Sequence, residues 1–324
     1  MRKRIALAVL GAGLAVGVAS MVSAQKAMPE VSIILNWFAE PPHGGDYAAV
    51  QDGLYEKAGV KVKLIPGGPN VAGYSLVATG KAEFAQMDTA GILQSREQGL
   101  PVVGVFADLQ LSPQVLMFHK ENPIKGFADL AGRQVAVTPG APYWDYIVAK
   151  YKLEGKVQQV NYSGQVATFL SNKKLVSQGY AVAEPYTIEQ AGGDIDYLLV
   201  SDSGFSPYGV LGTNEDFLKN NRAVVKAVVE ASQEGWNRYV ANPDKYGPAI
   251  KVDNKDLTPG FLAWSGNATV KFAVGKDGQV KKLGFGTMQL SRWNEIYKAL
   301  KAVGILKKDQ VVQQAFNTTF IKKP

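Results

Sequence analysis

Apolar positions along this chain fall into short runs, and stretches with helical spacing lie between them. Val31 to Leu35 reads as a strand. Gly45 to Ala58 reads as a helix, with Tyr47, Ala48, Gln51, Leu54 and Tyr55 at helical spacing. Val60 to Ile65 is a second strand, broken by Pro66-Gly67-Gly68-Pro69, and Asn70 is placed to cap a helix that stops at Gly80. Glu83 to Met87 and Val102 to Phe106 are further strands, flanking a helix that begins at Asp88 and stops at Gly99. Strands and helices in strict alternation predict a mainly parallel sheet with helices on both faces.

The rhythm restarts after His119. Phe127 to Leu130 is a short helix and Gln134 to Val137 a strand ending at Thr138-Pro139-Gly140. Tyr143 to Tyr151 is helical, Gln178 to Ala183 a strand, Glu184 the start of another helix, and Ile195 to Val200 a strand. From Thr213 onward helices dominate: Arg222 to Val240, Pro243 to Ile250, Asp256 to Trp264 and Thr287 to Val303. The extended apolar segments Gln114 to Phe118 and Pro207 to Gly212 suit crossings between two α/β units.

Ahead of this pattern stand Arg2, Lys3 and Arg4, an apolar run from Ile5 to Val22, and Val22-Ser23-Ala24. A basic start, an apolar middle and small residues at the exit make an export signal over residues 1–24, cleaved before Gln25. No later stretch approaches the roughly 20 apolar residues of a membrane-spanning helix. The remaining roughly 300 residues are enough for two packed domains. The chain has no cysteine. Its core must therefore hold without disulfides, and an N-terminal lipid anchor on cysteine is excluded. The formal net charge is +7, of which the leader carries three units, and the lysines are scattered. Nothing there argues for nucleic acid.

In open α/β sheets ligands bind beyond the carboxyl ends of the strands. After the first strand come Asn36, Trp37, Phe38, Glu40, His43 and Tyr47, which combine flat aromatic faces with hydrogen-bonding groups. Pro41-Pro42 and Gly44-Gly45 give this segment the character of a loop. Gly68 and Asn70 follow the second strand, where backbone and helix N–H groups lie open to a guest or simply form a turn. Asp88 follows the third strand, as a helix cap, a ligand contact or both. In the second unit, Thr138-Pro139-Gly140 can cradle an anion, Tyr143 and Trp144 can face a cleft, and Glu184-Pro185-Tyr186 opens a helix. Tyr208 lies beside the second crossing.

Catalytic constellations are poor. With no cysteine and two histidines, His43 and His119, a Cys–His pair is impossible and a multi-histidine metal site is poorly supplied with ligands. Neither a Gly-x-Ser-x-Gly elbow nor a phosphate loop occurs.

The run Asn36-Trp37-Phe38-Ala39-Glu40-Pro41-Pro42-His43-Gly44-Gly45, then Tyr47-Ala48-Ala49 and Asp52-Gly53-Leu54-Tyr55, resembles the start of ABC-transporter solute-binding proteins of the thiamine-pyrimidine-precursor type. That group also includes binding proteins for sulfonates, taurine and nitrate. Pro66-Gly67-Gly68-Pro69, Gly80-Lys81-Ala82-Glu83-Phe84 and Ala183-Glu184-Pro185-Tyr186 fit the same pattern. The resemblance implies an α/β, two-lobed periplasmic binding-protein fold of type 2, with two crossover strands at the hinge. Lobe 1 would comprise 25–116 plus 212–324 and lobe 2 would comprise 117–211. It also implies a monomer in the periplasm that uses no cofactor, closes on a small-molecule ligand and delivers it to an ABC permease and ATPase at the inner membrane.

A fungal relative of this fold is an enzyme that consumes its own histidine beside a cysteine-rich iron site. A chain without cysteine departs from it, so an exported pyrimidine-synthesis enzyme, or a sensor domain, is the alternative of another class. Trp37, Tyr143, Trp144, Tyr186 and Glu184 favour an aromatic heterocycle over an alkanesulfonate, taurine or nitrate, because a carboxylate repels an anion.

Overall fold

A computed structural model describes residues 28–324 except Asn70 and Asp277; the expected leader lies outside the described residues. The strands are β1 (Glu30–Ile34), β2 (Lys61–Ile65), β3 (Phe84–Asp88), β4 (Val102–Leu109), β5 (Gln114–His119), β6 (Gln134–Val137), β7 (Gln158–Asn161), β8 (Val176–Tyr180), β9 (Ile195–Leu199) and β10 (Gly209–Asn214). They form two sheets, ordered β2-β1-β3-β10-β4 and β7-β6-β8-β5-β9. Both sheets repeat one plan. The first three strands of each unit are parallel, and the strand arriving from the other unit enters antiparallel between the third and fourth.

The expected crossings are shifted. Gln114 to Phe118 lies wholly within the second sheet, and β10 wholly within the first. The chain changes sheets at 110–113 and at 204–208. One side chain holds both passages. The Arg292 guanidinium donates to the carbonyls of Gln110 (2.8 Å) and Ser206 (3.1 Å) and lies 3.8 Å from the centre of the Tyr208 ring.

Local chemistry explains where the elements depart from the pattern. The helix expected over Gly45 to Ala58 is two, Gly44–Gln51 and Leu54–Lys57, because Gly53 turns left-handed between them at φ 64°. Gln178 to Ala183 does not continue as a strand; β8 ends at Tyr180 and turns into the helix Glu184–Gln190. The helix expected over Asp256 to Trp264 is capped by the Thr258 hydroxyl and runs over Pro259–Val274. The polar strand β7, exposed along most of its length, shows no apolar alternation and was not anticipated.

The C-terminal helices pack on the first sheet. Phe106, Phe285 and Trp236 stack in series, with centroids 6.1 and 5.5 Å apart. Trp236, on the helix Arg222–Ala241, also explains Gly45: a Cβ there would come within 2.1 Å of the indole. The Gly44-Gly45 pair therefore serves close helix packing rather than a loop.

Beneath this packing lies Asp46. Its carboxylate accepts from Gln86 Nε2 (2.7 Å) and Tyr55 Oη (3.2 Å), and Tyr55 also meets Ser232 (2.9 Å). Burial outweighs these bonds and pushes the carboxyl up to about 6. The folded state thus binds this proton more tightly than the unfolded chain. Its contribution to stability is fully present below the ordinary aspartate value of 3.8 and is lost as pH rises through about 6. The loss is at most on the order of 3 kcal/mol. In Asp46→Asn the new amide can donate to Tyr55 while Tyr55 donates to Ser232. Thermal melts at about pH 5 and about pH 8 should show a smaller pH-dependent drop in the variant, narrowed by several degrees at about 2–4 °C per kcal/mol. An equal drop in both proteins would remove Asp46 as the source.

Candidate functional site

The carboxyl ends of β1, β3, β6, β7 and β8 face one crevice between the sheets. In the first lobe, Leu35 N extends the pairing onto Ile65 O (2.9 Å), and Asn36 to Glu40 then cross the sheet end. Gly67 N donates to Trp37 O (2.9 Å); a Cβ on Gly67 would lie 2.1 Å from Leu35 O, so this turn needs glycine. Glu40 precedes a 3-10 turn at Pro41–His43. His43 Nδ1 accepts from Glu40 N (3.4 Å), so Nε2 carries the proton and donates to Asn36 Oδ1 (2.9 Å). Burial pushes the imidazole down to about 3, and it stays neutral.

Asp88 caps the helix Thr89–Glu97 through Ala90 N (2.8 Å) and Gly91 N (2.9 Å), and it also accepts from Tyr74 Oη (3.2 Å). In the second lobe Glu184 accepts from Tyr180 N and from Tyr162 Oη, both at 2.7 Å. Gln178 Oε1 accepts from Thr138 N (2.7 Å) and Tyr143 Oη (2.8 Å). At the expected anion cradle, Thr138-Pro139-Gly140, the Thr138 N–H is taken, Pro139 has none and the next helix starts only at Pro142, which leaves Gly140 to offer an N–H.

Three adjoining cavities result. A central one of about 260 Å³ is walled by Trp37, Tyr143, Tyr162 and Tyr180, with Glu40, Asp88 and Glu184 at its edges. An inner one of about 80 Å³ lies toward the hinge, with Asp108 and Tyr208 in its lining. A side cavity of about 410 Å³ opens past Trp37 toward Tyr186. Trp37 spans the lobes, stacked on Tyr162 at 6.0 Å and 21°. Among the described residues, no lysine or arginine lines the central or inner cavity.

The three carboxyls at the central cavity's edges are accordingly shifted upward. Burial, and then the facing Glu184, raise Glu40 well above the usual carboxylate range. Burial also raises Glu184 and Asp88, against the hydrogen bonds each accepts.

The crevice brings together Asn36, Trp37, Glu40, His43, Gly68, Asp88, Thr138, Tyr143 and Glu184, with Tyr208 at its inner end. Three expected residues are placed elsewhere. Tyr47 is buried in the first lobe and donates to Asp253 (2.8 Å). Trp144 follows Tyr143 on a helix, where successive side chains diverge by about 100°; it is buried in the second lobe's core and donates to Gln159 (2.9 Å). Tyr186 lies beyond Trp37, against Phe261 and Trp264 of the first lobe. Asn70 lies outside the described residues. Tyr162 and Tyr180 were missed. Tyr162 follows the unanticipated β7, and Tyr180 ends a strand that the pattern had carried on to Ala183.

Over 322 residues the chain is 24% identical to a riboflavin-binding protein of Chloroflexus aurantiacus, covering 92% of this chain and 88% of that one. It is 24% identical over 307 residues to a formylaminopyrimidine-binding protein of Halalkalibacterium halodurans, covering 91% and 92%. The solved periplasmic aliphatic sulphonate binding protein of Escherichia coli shares the fold, with a TM-score of 0.63 at 13% identity over 91% of this chain and 92% of that one. A family model described as NMT1/THI5 like matches residues 40–246, from Glu40 at the crevice through both sheets and both crossings. By that match over more than half its length, the chain belongs to the NMT1/THI5-like family.

Proposed function

We propose that this protein is the solute-capturing component of an ABC importer, and that it takes an amino-substituted aromatic heterocycle of the thiamine-pyrimidine type into the central cavity. The carrying observation is the character of that cavity: aromatic walls, carboxyl groups from both lobes, and no lysine or arginine among the described lining residues. A bare anion would meet repulsion there. An aminopyrimidine edge presents an N–H donor beside a ring-nitrogen acceptor. Glu184 as carboxylate suits the first and Glu40, held toward its protonated form, suits the second. Trp37, Tyr143, Tyr162 and Tyr180 supply flat surfaces for the ring. The names of the two relatives, a riboflavin binder and a formylaminopyrimidine binder, agree with a nitrogen heterocycle.

Residues from both sheets line the cavity, so a guest that touches both favours closure of the lobes and delivery to a permease follows reopening. The leader pattern supports a periplasmic location, and among the described residues no helix is long and apolar enough to cross a membrane. An enzymatic reading would need a reactive group. Both histidines have structural partners: His43 bonds Asn36, and His119 bonds the Phe169 carbonyl and stacks on that ring at 4.3 Å.

Calorimetry with aminopyrimidines, flavins, taurine, an alkanesulfonate and nitrate tests the ligand class. Heterocycles should bind and the anions should not; binding confined to the anions would overturn it. Trp37→Ala should weaken heterocycle binding by about 1–3 kcal/mol, the range for stacking of a base on an aromatic side chain. Unchanged affinity would take Trp37 out of the site. Glu184→Gln should cost about 1.5–3 kcal/mol, the worth of a hydrogen bond to a charged group. A large fall in melting temperature with intact affinity would instead leave Glu184 a structural role alone.

A further inference from the structure

The inner cavity differs in chemistry from the central one. The two share Asn36, His43, Asp88, Gln114, Tyr143 and Tyr180 as a common wall. Its distinctive group is Asp108, on β4, only 5% exposed. Within the described residues its carboxyl accepts from backbone N–H groups, that of the adjacent Leu109 (2.8 Å) and its own. A carboxylate has about four lone-pair positions, so part of its accepting capacity is unused and faces the cavity.

The neighbouring amides are turned the same way. Gln86 donates its amide nitrogen to Asp46 (2.7 Å). Gln114 donates its own to the carbonyls of Gly179 (3.0 Å) and Val115 (3.4 Å). What they have left for the cavity is chiefly carbonyl oxygen. Asp88 adds a second carboxyl, and His43 spends its ring N–H on Asn36. The lining thus sets two carboxyls and amide carbonyls beside the Asn36 amide and tyrosine hydroxyls, without a cationic side chain among the described residues, in a space of about 80 Å³.

We propose that this compartment is a subsite for a protonated primary amine carried on a short arm of the ligand's ring, with Asp108 as its counter-ion. The inference rests on the heterocycle reading of the central cavity and names the substituent that cavity's guest bears. An ammonium group offers three donors and no acceptor, the complement of those carboxyls and carbonyls. One linking carbon is enough to pass from the shared wall into a space of this size. Burial, and then the nearby Asp46, raise the Asp108 carboxyl well above the usual range, as befits a carboxyl without a counter-ion. An ammonium alongside instead favours the carboxylate.

The test compares three aminopyrimidines that differ at a single ring carbon, bearing a methyl, a hydroxymethyl or an aminomethyl arm. Calorimetry on the wild-type protein should rank the aminomethyl compound about 10- to 100-fold tighter than the other two, the factor for a charge-assisted bond. Hydroxymethyl is the near-isosteric neutral control, and this comparison needs no variant. In Asp108→Asn the preference for the aminomethyl over the hydroxymethyl compound should collapse. Equal binding of all three compounds, or a preference that survives Asp108→Asn, overturns the subsite and leaves the heterocycle reading standing. If none of the three binds the wild type, both fall together.

Discussion

Taking a carboxylate out of water costs several kcal/mol unless charge or hydrogen bonds meet it. This fold encloses four around one crevice: Glu40 and Glu184 from opposite lobes, and Asp88 and Asp108 from the first sheet. Each is managed differently. Asp88 is absorbed into a helix cap, Glu184 is held by a backbone N–H and a tyrosine, and Glu40 and Asp108 keep few partners and favour their protons. The lobes can close over such a set only where protons, donors or a cationic guest meet it. Ligand class and closure follow from that electrostatic demand. His43 is neutral for a separate reason, its own burial.

The scaffold meets it by duplication of plan. Each lobe presents the ends of three parallel strands, and each receives an antiparallel strand from its partner. Binding groups therefore sit on short loops anchored by continuous sheets, while the crossings carry none of the carboxyls. Aromatic contacts between lobes, Trp37 on Tyr162 and Tyr186 against Phe261 and Trp264, lie on the far side of the central cavity from the hinge.

Much of this was legible in the chain. Alternating elements identified the two α/β units, and the rule that ligands sit beyond strand ends found Asn36, Trp37, Glu40, His43, Asp88 and Glu184 without coordinates. Misplacements trace to local causes. Tyr47 and Trp144 are aromatic and near the right loops, but a helix turns each toward a core, and composition does not reveal which face is buried. Tyr162 was hidden because β7 is too polar to show strand alternation. Asp108 was missed because the strand expected over Val102 to Phe106 runs on to Leu109, which puts Asp108 within β4 rather than on a loop beyond it. The crossings were displaced by a few residues because an apolar strand that starts just after a crossing reads the same as one that makes it.

Arg292 gives the hinge a further property. Its guanidinium grips the carbonyls of both passages, and Tyr208 beneath it forms part of the inner compartment's lining. Two strands tied at one point cannot flex separately, so bending is confined to the short stretches left on the second lobe's side, Leu111 to Pro113 and Gly204 to Phe205. The inner compartment straddles that bend: Asp88, Asp108 and Tyr208 stand on the first lobe's side, and Gln114, Tyr143 and Tyr180 face them from the second, so flexing there changes its width rather than carrying it whole.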